Sequence, residues 1–147
     1  MNRQAITAAL LILSASSALA AGDADNGKNL FKKCMACHRI GPDAKNLVGP
    51  ALTGVVGRKA GTFEGFSYST TMKNAGDQGL VWSEDNIRTY IADPDAFLKK
   101  YLTDKGKADL IADEAKMKFK WQPAGDTDAA KAAMTDDLLA YLASFSK

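Results

Sequence analysis

Histidine is nearly missing from this chain: His38 is the only one in 147 residues. Cysteine is scarce as well, with Cys34 and Cys37 alone. A structural zinc site takes four ligands, and no second Cys/His pair exists to supply them. A plain disulfide between residues three apart would close a loop too small to serve a fold. Charge of one sign is lacking too: 19 lysines and arginines face 17 aspartates and glutamates. That balance excludes the basic footprint of a nucleic-acid-binding domain. Period-two alternation, internal repeats and low-complexity tracts are absent, which excludes a β domain.

Long apolar runs are missing but for one at the start. Arg3 precedes a mostly apolar run over residues 8–15, centred on Leu10, Leu11, Ile12 and Leu13, and Ala18-Leu19-Ala20 forms an A-x-A site. Residues 1–20 read as a secretory signal peptide cleaved after Ala20 or Ala21. The run falls short of the ~20 residues that span a bilayer. Residues 22–147 are expected to form a single domain. Without Arg3 the basic excess is one. Export leads to an oxidising compartment, the periplasm if the cell is Gram-negative.

The remaining pattern is helical. Asp23 can cap a first helix that runs to about Lys33 or Cys37. Gly41-Pro42, Gly49-Pro50, Gly54, Gly57, Gly61 and Gly65 mark a long irregular stretch. Residues 69–74 fit one or two helical turns. Ser83 caps a helix carrying Ile87, Tyr90 and Ile91, which must stop before Pro94. Phe97, Leu98, Tyr101 and Leu102 share one face of the next helix. A short helix fits around Leu110, and residues 116–123 show no period. A last helix is expected from about Thr135, with Leu138, Leu139, Tyr141, Leu142 and Phe145 inward. The fold class is all-α: several short helices joined by Gly-rich loops long enough to wrap something.

The scarce residues meet in CMACH, residues 34–38. Thiol–disulfide oxidoreductases also use Cys-x-x-Cys, but at the start of a helix in a βαβ fold. Here the pair follows a helix and no strand is evident. Cys-x-x-Cys-His is the attachment signature of c-type haem. Two thiols add to two vinyl groups on one edge of the porphyrin, and the next residue carries an imidazole to the iron. The expected cofactor is one covalent haem, with His38 as an axial iron ligand.

A single histidine excludes a bis-His iron. A methionine, a lysine or an open sixth site remain. Met35 lies within the attachment loop on the histidine side, and Met72 and Met134 hold helix-like positions that suit core filling. Met117, in the basic and aperiodic AKMKFKW, is the favoured candidate by position. A Met/His iron suits electron transfer, whereas an open site would suit a haem enzyme or a gas sensor.

The chain resembles class I c-type cytochromes, most closely the bacterial cytochrome c2 group with its long-insert members. GDADNGKNLFKKCMACHRI is similar to that family's first helix and haem motif, and NLVGPALTGVVGRKAGTFEGFSYS to its Gly-rich loop. LVWSEDNIRTYIADP, AKMKF and DDLLAYLASF are similar to the following helix, the methionine loop and the C-terminal helix. The resemblance implies a cytochrome c fold around one haem c, thioether bonds from Cys34 and Cys37, and His38 and Met117 as axial ligands. It implies that the Pro50 carbonyl accepts from His38, and that Arg58, Tyr68 and Trp82 meet the haem propionates. Tyr90 would lie toward the Met117 sulfur, and Gly27, Phe31, Leu138 and Tyr141 would form the crossing of the first and last helices. Three departures stand out: Ala115 replaces a loop-ordering threonine, Met72 replaces an asparagine, and an insertion runs from Thr103 to Glu114.

The implied activity is not enzymatic. It is one-electron shuttling from a cytochrome bc complex to a terminal oxidase or photosynthetic reaction centre. The protein is expected to act as a monomer. Lys32, Lys33, Lys99, Lys100, Lys116, Lys118 and Lys120 gather in segments expected around the haem edge. Asp23, Asp25, Asp126, Asp128, Asp136 and Asp137 lie toward the ends. A lysine-rich docking face for membrane redox complexes is therefore expected.

Overall fold

A computed structural model describes residues 22–146. The expected signal peptide and its cleavage site lie outside those residues. Five α-helices and one 3-10 turn follow in order: α1 (Ala24–Phe31), α2 (Thr70–Asp77), α3 (Glu84–Ala92), α4 (Pro94–Asp104), the turn Ala108–Leu110, and α5 (Asp128–Ala143). No strand is formed among the described residues, and Lys59 and Val81 make one isolated antiparallel bridge.

Short polar side chains set where the helices begin. Asp23 accepts from the Asp25 and Asn26 amides at 2.9 and 3.2 Å. Ser69, Ser83, Asp93 and Thr127 do the same for α2 to α5, each relieving an amide that the helix itself leaves unpaired. Pro94, expected to stop α3, also opens α4, where a missing N–H costs nothing.

Two boundaries differ from the sequence reading. The first helix ends at Phe31. Beyond it Cys34 N–H donates to the Phe31 carbonyl at 2.8 Å, so the bonding tightens to a three-residue step. The last helix begins at Asp128, well before Thr135. Residues 128–134 carry four alanines and no apolar stripe. Propensity and the Thr127 cap extend the helix where no face is buried.

The helices α1 and α5 cross at Gly27. A Cβ there would lie 2.0 Å from the Asp137 carbonyl oxygen and 2.8 Å from Tyr141 Cβ, so only glycine permits the approach. Phe31 stacks obliquely on Tyr141 with centroids 5.4 Å apart, and Leu138 is buried beside them. Asp137 then reaches back, accepting from the Asp23 N–H and the Asn26 amide at 2.7 Å each. The buried apolar side chains form one cluster, with Leu80, Leu98, Leu102 and Leu139 fully enclosed. Each such leucine is worth roughly 1.5–3 kcal/mol of burial.

Candidate cofactor-binding site

Tight turns place the CMACH residues. Cys37 and His38 both donate their amides to the Cys34 carbonyl, at 3.1 and 2.9 Å, which folds the five residues into a compact knot. Neither cysteine is in a disulfide, and both are half-buried. Burial, and next the neighbouring Cys37, push the Cys34 thiol up to about 11. A thiol held protonated is the reverse of the activated thiolate of an oxidoreductase.

His38 is fixed on two sides. Its Nδ1–H donates to the Pro50 carbonyl at 2.7 Å. Burial keeps the imidazole below its ordinary value, against a smaller opposing pull from that bond, so the ring is neutral. One nitrogen is committed and Nε2 keeps its lone pair, which is the state an iron-ligating imidazole requires. The ring also lies against Gly49, where a Cβ would come within 2.3 Å of Cε1. Gly49 and Pro50 together make a cradle shaped to this side chain. Two free thiols and an oriented, neutral imidazole are the donor set that covalent haem needs.

A second group of expected residues also converges. Gly57 N–H donates to the Trp82 carbonyl and Trp82 N–H to the Arg58 carbonyl, at 2.8 and 2.9 Å, so Arg58 and Trp82 are paired through their backbones. Arg58 donates to the Ala51 and Thr53 carbonyls, at 3.3 and 3.2 Å. Its guanidinium has no carboxylate partner among the described ion pairs, and burial lowers its pKa. Tyr68 lies close enough for its charge to act on both Arg58 and Tyr90. Tyr90 packs between Trp82 and Phe97, with centroids at 4.8 and 5.9 Å, and burial raises its hydroxyl strongly. A half-buried cation beside the Tyr68 phenol is well made to receive the carboxylates of a ligand.

Met117 comes from elsewhere. It is half-buried in the irregular chain after the 3-10 turn, and no hydrogen bond among the described residues joins it to either group. Its neighbours across a surface depression of about 310 Å³ include Pro94, Ala96 and Lys99. The other departures are equally plain. Met72 is buried in the core, and Ala115 is buried with its N–H donating to Asp95 at 3.1 Å.

The lysines expected to form one basic face are unequal. Lys99, Lys100, Lys118 and Lys120 hold Asp95, Asp104, Glu114 and Asp93 at 2.6–2.8 Å. Lys32 meets only the Asn29 amide oxygen, Lys33 lies over Trp121, and Lys116 donates to the Ser67 carbonyl. Of these seven lysines, Lys32, Lys33 and Lys116 have no carboxylate partner among the described ion pairs, and the first two directly precede the CMACH turn. Sequence reasoning did not foresee these pairs, nor Gly49 as the backing of His38. The Gly49-Pro50 signal was visible only as a turn.

Comparison with known proteins follows the same lines. The Cytochrome c family model matches residues 24–112, a stretch that ends before Met117. The cytochrome c2 iso-1 of Rhodospirillum centenum is 51% identical over 125 residues, which cover 85% of this chain and 98% of that protein. A cytochrome c2 of Rhodopseudomonas palustris is 54% identical over 121 residues, covering 82% and 96%. The solved structure of cytochrome c2 from Rhodospirillum centenum superposes with a TM-score of 0.77 at 50% identity, covering 86% of this chain and all of that one. The ferricytochrome c2 structure from Rhodopseudomonas palustris gives a TM-score of 0.72 at 54% identity, covering 84% and 98%.

Proposed function

The chain belongs to the cytochrome c family, as a monohaem electron carrier and not an enzyme with one covalently attached haem c, and from that premise we propose which residues hold the haem and where the protein works. Haem c supplies a one-electron couple at its iron. Cys34 and Cys37 would hold it by thioether bonds, and His38 would ligate the iron through Nε2. The Pro50 carbonyl keeps His38 in the required tautomer and orientation, and Gly49 gives the ring its room. Met117 would be the second iron ligand, a soft thioether that would favour the reduced state and close the iron to other ligands. Arg58, Tyr68 and Trp82 receive the propionates, and Tyr90 lines the methionine side. The observation that carries this reading is the single histidine, with Nδ1 engaged at 2.7 Å and Nε2 free, directly behind two free cysteines.

The working place is the periplasm, reached by cleavage of residues 1–20 after Ala20 or Ala21. There the protein, a monomer of one domain over residues 22–147, takes electrons from a cytochrome bc complex. It delivers them to a terminal oxidase or a photosynthetic reaction centre. Docking uses Lys32 and Lys33 just ahead of CMACH together with Lys116 of the methionine segment, because the lysines around α4 and residues 118–120 already hold carboxylates. Encounter with an acidic partner should be fast and should slow as salt rises.

The test is an absorption spectrum of the exported protein, ferric and ferrous, with and without carbon monoxide. A low-spin c-type spectrum, a weak sulfur-to-iron band in the ferric form and no response to carbon monoxide are expected. A high-spin spectrum that shifts with carbon monoxide would overturn the assignment of Met117 and reopen the sensor or enzyme reading.

A further inference from the structure

The methionine segment is expected to depend on a threonine that this chain lacks, since Ala115 stands in its place. Residues 112 and 113 are instead tied to the start of α2. Asp113 Oδ2 accepts from the Thr70 N–H and Oδ1 from the Thr71 N–H, both at 2.8 Å. These are the first two amides of α2, which the helix leaves unpaired and which carry its positive end. Ser69 caps the next free amide at Met72. Thr71 then answers in the other direction. Its hydroxyl donates to the Asp113 carbonyl at 2.7 Å and accepts from the Ala112 and Asp113 amides at 3.1 and 3.0 Å. Thr71 is buried, so this exchange is shielded from water. Asn74 adds a bond from its side-chain amide to the Leu110 carbonyl at 2.8 Å.

Four residues beyond Asp113 stands Met117, and four beyond that stands Trp121. Trp121 N–H donates to the Ile91 carbonyl at 2.7 Å, and its buried indole N–H donates to Thr135 on α5 at 3.0 Å. Met117 is therefore carried on a short span fastened at both ends.

We propose that Asp113 is a positioning residue for the iron's methionine: by gripping the N-terminus of α2 together with Thr71, it fastens the insertion so that the span from Asp113 to Trp121 holds Met117 in place. The inference rests on Met117 being an axial ligand. Most of the device comes from the insertion between Thr103 and Glu114. Within the span the buried Ala115 N–H also donates to Asp95 at 3.1 Å, so releasing the Asp113 grip leaves that lone bond to hold the chain before Met117 and raises the fraction of molecules in which the sulfur has left the iron.

The experiment measures imidazole binding to the ferric haem protein, together with the strength of its sulfur-to-iron band. Imidazole reports the open fraction directly, because it enters only where the sixth position is free. Asp113→Ala removes two charge-assisted bonds and should tighten apparent imidazole binding about ten-fold or more. Asp113→Asn, which keeps one acceptor, should fall between. Thr71→Val, which leaves the carboxylate in place, should shift binding in the same direction. Asp137→Ala is the control, since it removes a comparable pair of bonds at the start of α1. It should lower stability while leaving imidazole affinity near wild type. Equal affinities in wild type, Asp113→Ala and Thr71→Val would overturn the proposal, as would an equal rise in Asp137→Ala. A wild-type protein with no sulfur band would instead overturn the ligand assignment on which the proposal rests.

Discussion

Gly49→Ala puts the cradle around His38 to a quantitative test. Gly49 is buried, and its backbone is not in the left-handed region, so alanine meets no conformational penalty there. The obstacle is space alone. The new methyl would lie 2.3 Å from His38 Cε1, and 2.7 and 2.8 Å from Nδ1 and Nε2. Carbon atoms settle at about 3.5–4.0 Å, so something must move by about 1 Å or more. The loop resists, because Gly49 N–H donates to the Cys37 carbonyl at 2.8 Å and its carbonyl accepts from Leu47 at 2.9 Å. The ring resists as well, because leaving breaks its bond to Pro50. Overpacking costs about 1–3 kcal/mol and the lost bond about 1 more, so roughly 2–4 kcal/mol is expected in total. For a domain of this size that lowers Tm by about 10 °C. Thermal unfolding, followed by haem absorbance and tryptophan fluorescence, measures the loss. The ferric spectrum should show the histidine disturbed at the same time. An alanine variant with unchanged Tm and an unchanged low-spin spectrum would refute the tight packing of ring on glycine.

Three further outcomes are expected. Met117→Ala should open the iron, giving a high-spin ferric spectrum and ready carbon monoxide binding; a low-spin variant blind to carbon monoxide would place the ligand elsewhere. Trp121→Phe deletes the indole donor to Thr135 and should lose about 1 kcal/mol in urea unfolding, whereas no loss would show the bond to be idle. The Thr71 amide, and after it the Thr70 amide, hold the Asp113 carboxyl below its ordinary value. A lowered folded pKa gives stability that is full above the unfolded value near ~4 and is lost as pH falls through the folded one. Asp113→Asn should therefore flatten the acid limb of the Tm–pH profile below about pH 4, and an unchanged limb would contradict the cited bonds.

Sequence and structure agree best where one residue type has one local task. Asp23, Ser83 and Pro94 announce their helix boundaries because capping and the missing proline N–H act over three or four residues. CMACH is legible for the same reason, since its chemistry is complete within five residues. The start of α5 was hidden because residues 128–134 have an exposed surface and no apolar period to read. The end of α1 was misplaced because the cysteines continue the helical spacing while the hydrogen bonding tightens. Asp113 gave no signal at all: its partners Thr70 and Thr71 lie more than forty positions away. The basic face was read from lysine positions, but the carboxylates that neutralise four of them come partly from other segments, as Asp93 does for Lys120.

The crossing of α1 on α5 also sets a timetable. Asp23 is joined to Asp137 across 114 positions, so a growing chain presents α1 and its two thiols long before their helical partner exists. Until α5 arrives, the Asp137 and Tyr141 contacts of Gly27 and Phe31 cannot form. Once the helices close, Cys34 sits half-buried with its proton held firmly. If Cys34 and Cys37 hold the haem as proposed, their thioether bonds should form more readily before α1 and α5 close than after. Variants that hasten docking of the chain's two ends should, by this order of events, lower the yield of haem-loaded protein even while they strengthen the finished fold.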